Sequence, residues 1–271
     1  GDTTGSAYVF KRSGSNWIYK TKLLALDIDD GDRFGTSVSI YGDYIVIGAP
    51  YDRDFGSKSG SVYVFKRDGN SWIQQAKLLP SDGESFMEFG HSVSICGDYI
   101  LIGADYDNYN GEGTGTAYVF KRNNQNWIQQ DKLLAQDGVE KDRFSKSVSI
   151  YGDYAVIGAY YDDDNGENSG SAYVFKRSES NWTQEAKLLP QDGEEGDLFG
   201  FSASIDGDYI LIGVYGDDDN GNYSGSVYVF KRSSSTWIQE AKLLPRDGAS
   251  YDFFGKSVSI SGNYAIIGAY S

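Results

Sequence analysis

Four loops carry the side chains best suited to chemistry: YDRDFGSKSG (51–60), YDNYNGEGTG (106–115), YDDDNGENSG (161–170) and GDDDNGNYSG (216–225). Calcium takes about six to eight oxygen ligands, mostly carboxylates, carbonyls and water, wrapped by a turn that often needs glycine. Asp162, Asp164 and Asn165 around Gly166, and Asp217, Asp219 and Asn220 around Gly221, supply such oxygens, and Asp105, Asp107 and Asn110 form a third set. Ca2+ is the one cofactor these loops suggest. Their spacing falls one residue short of the EF-hand order, and the same residues suit solvated turns in which Asp and Asn bond their own backbone. Arg53 and Lys58 weaken the loop at 51–60 as a cation site.

These loops recur because the chain is a repeat. SAYVFKR at 6–12 returns at 61, 116, 171 and 226, always 55 residues on, and Trp17, Trp72, Trp127, Trp182 and Trp237 keep the same step. Within one period there are four strand-like runs, here A to D: FGTSVSI, DYIVIGA, SVYVFKR and WIQQAKLL. A and B are joined by a tight YGD turn, B and C by the acidic loop, and C and D by DGNS, the pattern of an antiparallel meander. Runs B and C are almost continuously apolar, as for strands covered on both faces, whereas D mixes in Gln and Lys, as at an outer edge.

The expected fold is all-β: a single five-bladed β-propeller over 1–271, with blades at about 34–80, 89–135, 144–190, 199–245 and 254–271 plus 1–25. The first period begins at C and the last ends after B. Pairing the N-terminal C and D with the C-terminal A and B would complete a fifth blade, remove two sheet edges and close the ring.

A binding site should break such a repeat, because identical columns usually report packing. The column after the FG pair does so, holding Thr36, His91, Lys146, Phe201 and Lys256. If A is the innermost strand, these five form a candidate ligand site at the channel mouth. His91 is the only histidine, which argues against a Ser-His triad or a histidine-built metal site. Glycosidases place a few unique carboxylates at such a channel, whereas the acids recognised here recur around the ring, so no enzyme is expected. The tryptophans suit packing between blades better than sugar stacking. Cys96 has no partner for a disulfide, since it is the only cysteine.

The net charge of −15 disfavours nucleic acid, and no apolar run is long enough to span a bilayer as a helix, so membrane insertion is not expected. In a meander the B–C and D–A loops share one face, which gathers the carboxylates. The Lys-Arg pair ending each C run, such as Lys176 and Arg177, lies toward the other face. The resulting dipole suggests head-to-tail self-association.

FGTSVSIYGDYIVIGAPYD and FGHSVSICGDYILIGADYD, followed by SGSVYVFKR and WIQQAKLL, resemble FG-GAP repeats of the bacterial type, related to the integrin α-subunit propeller. The likeness runs through all five periods. It implies propeller blades of exported or cell-surface proteins that bind or adhere and lack known catalysis. Integrin-type repeats keep calcium between strands A and B, where this sequence has only short turns such as YGDY at 41–44, so those ligands cannot be carried over. The expectation is a secreted or cell-surface binding or adhesion module with a protein or glycan ligand. A multivalent lectin and a structural element that stacks into assemblies are the alternatives.

Overall fold

In the complete blades each YIVIGA-type run forms a strand whose β-branched and aromatic residues are covered on both faces by neighbouring sheets. The computed structural model describes residues 4–270. It contains twenty strands. The first two, β1 (Ala7–Ser13) and β2 (Asn16–Leu23), form a two-stranded sheet. Four complete blades follow, each a meander in sequence order. They are β3 (Ser37–Tyr41), β4 (Tyr44–Ala49), β5 (Ser61–Asp68) and β6 (Ser71–Leu78); then β7 (Ser92–Cys96), β8 (Tyr99–Ala104), β9 (Thr116–Asn123) and β10 (Asn126–Leu133). The third blade is β11 (Phe144–Tyr151), β12 (Tyr154–Ala159), β13 (Ser171–Ser178) and β14 (Asn181–Leu188); the fourth is β15 (Ser202–Asp206), β16 (Tyr209–Val214), β17 (Ser226–Ser233) and β18 (Thr236–Leu243). A last pair, β19 (Ser257–Ser261) and β20 (Tyr264–Gly268), ends the array.

The recurring SVSI segment holds successive blades together. Its first serine donates to a carbonyl of the next blade: Ser37 to Gly90, Ser92 to Ser145, Ser147 to Gly200 and Ser202 to Gly255, at 2.7–2.9 Å. Its second serine accepts the isoleucine amide one blade on, as Ser149 does from Ile205 at 3.2 Å. The glycine before each C strand allows the close approach between blades. Gly60 has φ +83° and forms a parallel bridge with Phe89, and a Cβ there would strike the Phe89 carbonyl. The FG phenylalanines then seal the blade interior, Phe199 packing edge-on against Tyr228 and Phe230. Trp127, Trp182 and Trp237 stack edge-on against Tyr44, Tyr99 and Tyr154 of the preceding blade, which bears out packing between blades.

Among the described residues the expected ring closure is not found. Among the described residues β1 pairs only with β2, and β20 only with β19. The side chains that closure would bury are open: Tyr264 is 83% exposed, whereas its equivalent Tyr99 is 8% exposed. The glycine contact recurs at all five steps between blades, and the serine contact at the four that follow the first complete blade's A strand. Among the described residues there are thus four complete blades flanked by two two-stranded sheets.

Candidate functional site

The B–C and D–A loops meet on one side of the array, as the meander requires, but their carboxylates converge on a cation supplied by the chain. Lys187, on the outer strand β14, places its Nζ 2.8 Å from Asp137, 2.9 Å from Asp162 and 2.6 Å from Asp164. Lys242 does the same with Asp192, Asp217 and Asp219 at 2.7–3.1 Å, and Lys77 with Asp27, Asp52 and Asp54 at 2.6–2.9 Å. Buried Asp162 is satisfied on every side: Ser171 and Tyr173 hydroxyls donate to Oδ2, and the Asp164 amide donates to Oδ1. Burial pulls the Lys187 ammonium down, yet hydrogen bonds to Asp137, Asp164 and Asp162 outweigh it and hold it above the ordinary lysine value. Burial likewise pushes Asp137 up, and Lys187 and Tyr173 overcome that and lower it.

The expected calcium ligands Asp162, Asp164, Asp217 and Asp219 therefore surround lysine ammonium groups. The lysine of the KLL run lies more than 20 residues downstream of its loop, so local sequence does not link the two. Asn165 and Asn220 have exposed side chains, and their backbone amides donate to Ser169 and Ser224 Oγ, closing the turn. Asn110 is also exposed. Asp107 accepts from the Tyr118 hydroxyl at 3.0 Å and lies 3.4 Å from Lys132, whose Nζ sits over the Tyr109 ring.

The basic pairs on the other side are largely neutralised. Arg67, Arg122, Arg177 and Arg232 each form an ion pair with the aspartate of the A–B turn of the same blade: Asp43, Asp98, Asp153 and Asp208. In the four complete blades the GD turn thus pairs off the arginine of each Lys-Arg pair.

The repeat-breaking column does assemble. Strands β3, β7, β11, β15 and β19 lie side by side along the inner edge of the array. Lys146 Nζ is 2.9 Å from His91 Nε2 and lies over the rings of Tyr160 and Phe201. Phe201 packs edge-on against Tyr160 and Tyr215, and Lys256 lies over Tyr215, Phe253 and Tyr270. Thr36 is exposed at the far end and is not part of this chain of contacts. With β1 and β20 unpaired among the described residues, these residues form a stripe along the inner edge rather than a collar around a channel mouth.

Two acids join the stripe at His91: Glu88, which sequence reasoning missed, and Asp105, which it grouped instead with Asp107 and Asn110. Glu88 stands where the other repeats have Arg33, Arg143, Leu198 and Phe253, and Asp105 stands where they have Pro50, Tyr160, Tyr215 and Tyr270. His91 Nδ1 lies 3.5 Å from Glu88 Oε2 and 3.5 Å from Asp105 Oδ1. Asp105 has no accessible surface. The signal was present in the alignment of the repeats: blade two departs from its siblings at all three positions.

Residues 17–65, 72–120, 127–175, 182–230 and 237–271 each match the FG-GAP repeat. The chain belongs to the FG-GAP repeat family. No curated protein matches it. Each complete FG-GAP match begins at a strand D tryptophan and ends at a strand C phenylalanine, so the family unit straddles two blades. The lysine clamp then joins consecutive FG-GAP units, since Asp137, Asp162 and Asp164 belong to one match and Lys187 to the next.

Proposed function

We propose that this FG-GAP chain is a non-enzymatic binding or adhesion module, secreted or displayed at a cell surface, that holds a protein or glycan ligand along the stripe from His91 to Tyr270. One observation carries this. The side chains that differ between repeats are contiguous, with Lys146 and Lys256 set against Tyr160, Phe201, Tyr215 and Tyr270. The columns that recur are instead consumed by packing or by ion pairs. Aromatic faces flanked by ammonium groups suit sugar rings or acidic chains, through stacking and charge. Calcium in the B–C loops would have to displace a lysine held by three carboxylates, so ligand binding is expected to be independent of calcium. The buried Trp127 and Trp182 offer no face to a sugar, which favours one asymmetric site over several equivalent lectin sites.

The test compares the natural chain with a Phe201→Ser, Lys256→Thr double variant on a glycan array and on purified cell-surface proteins. A ligand bound by the natural chain and lost by the variant is the expected result. Equal binding by both would place the ligand elsewhere and end this assignment.

A further inference from the structure

The cluster of Glu88, His91 and Asp105 has a property that the lysine-clamped loops lack: buried polar atoms that face one another without a hydrogen-bond donor or acceptor to match. His91 Nδ1 and both carboxylate oxygens of Asp105 are buried and have no hydrogen-bond partner. Glu88 and Asp105 are buried, Asp105 completely. A buried carboxylate without hydrogen bonds is costly and is normally paired or bound to a metal. Lys146 does not meet the need, because its Nζ stands 3.7 Å from Asp105 Oδ2, whereas the clamp lysines approach their nearest carboxylates to 2.6–2.7 Å.

The inner atoms have the spacing of a coordination sphere. A tetrahedral zinc ion with bonds of about 2.0–2.1 Å sets its ligand atoms about 3.3–3.4 Å apart. His91 Nδ1 is 3.5 Å from Glu88 Oε2 and from Asp105 Oδ1, and the ligand atoms of the three residues all lie within 4.8 Å of one another. The two nearby cations sit on the outward oxygens instead: Lys58 lies 3.7 Å from Glu88 Oε1, and Lys146 approaches Asp105 Oδ2. Lys58 there stands where an outer group orients a metal-binding carboxylate.

We infer that Glu88, His91 and Asp105 form a binding site for a divalent transition-metal ion, zinc being the ion whose bond lengths the spacing fits. One imidazole nitrogen and two carboxylate oxygens leave a fourth position open. The site does not depend on the ligand proposed for the stripe. Binding at Nδ1 places the ring proton on Nε2, where Lys146 now donates at 2.9 Å. Two donors then face each other, and the ammonium moves toward Asp105 Oδ2 and the Tyr160 ring. Metal and Lys146 therefore compete for His91, and removing Lys146 strengthens binding.

The experiment titrates Zn2+ by calorimetry into the full chain carrying Cys96→Ser, with Co2+ absorption as a second readout of coordination. One ion per chain is expected. His91→Thr and Asp105→Tyr place at these positions residues found in the same columns of other repeats, so both variants should fold, which circular dichroism checks. Each should weaken zinc at least about tenfold, while Lys146→Thr should tighten it by about tenfold. Failure of the unsubstituted chain to bind zinc at 100-fold molar excess, with no cobalt d–d bands, would overturn the proposal. So would binding that survives both His91→Thr and Asp105→Tyr.

Discussion

Asp105 and Asp107 stand two residues apart in one loop and meet opposite surroundings. Asp107 faces outward along its blade, where a tyrosine hydroxyl and a lysine recur in every complete blade. Asp105 faces the neighbouring blade, at columns that the other repeats fill with proline or tyrosine. The difference teaches how a repeat protein separates its tasks. Recurring acids are matched by recurring cations and serve the fold, whereas an acid introduced into a single copy depends on whatever its neighbours supply.

The sharpest way to break this contrast is to remove a clamp. Lys187→Met leaves Asp137, Asp162 and Asp164 converging without a cation, and loss of one partner of a buried ion pair costs about 3–5 kcal/mol. Urea unfolding should show that loss, and calcium, which should leave the melting temperature of the natural chain unchanged, should restore part of it in the variant. An unchanged midpoint for Lys187→Met would mean that the clamp contributes nothing to the fold.

A smaller effect concerns acids that close the D–A loops beneath the clamps. Burial pushes Asp142 and Asp197 up to about 6, and the charges of Asp162 and Asp217 add to this, while the Val139 and Glu194 amides pull the other way. Their folded values exceed the unfolded one, so the folded state binds more protons between about pH 4 and 6. Stability from these two groups is fully present below the unfolded value and is lost as pH rises through about 6, on the order of 2–3 kcal/mol each. Below pH 4 the depressed Asp82, Asp137 and Asp192 become protonated and stability falls again. Chemical denaturation across pH 3–8 should therefore peak near pH 4 and fall until about pH 6, and Asp142→Asn with Asp197→Asn should flatten that fall.

In blade two the corresponding cost is unsatisfied polarity. Asp105→Tyr removes a carboxylate without hydrogen bonds, and in the presence of chelator it should stabilise the chain by about 1–3 kcal/mol. A loss of similar size would show that Asp105 is well paired without metal. The smallest change is expected at the opposite face, where Arg177→Ala breaks a partly exposed pair with Asp153 and should cost at most about 1 kcal/mol by urea titration.

The period, the four strands of each blade and the residues between blades could be read from single columns, because each reflects local pattern: the apolar B and C runs, the tight GD turns and the glycine before YVF. The acidic loops were also legible as clusters of carboxylates. What surrounds them was not, since Lys187 reaches its aspartates only after strand β14 folds back beside β13, and Asp137 arrives from the preceding blade. The grouping of Glu88, His91 and Asp105 likewise needs strands β7 and β8 paired, with β11 of the next blade alongside.

The all-β repeat and membership of the FG-GAP family follow from patterns repeated every 55 residues and are therefore legible in the chain alone. Only the tertiary structure decided which cation each carboxylate meets and whether the ends pair. The first depends on contacts between residues far apart in the chain. The second depends on how every blade packs on the next, and among the described residues β1 and β20 share no sheet.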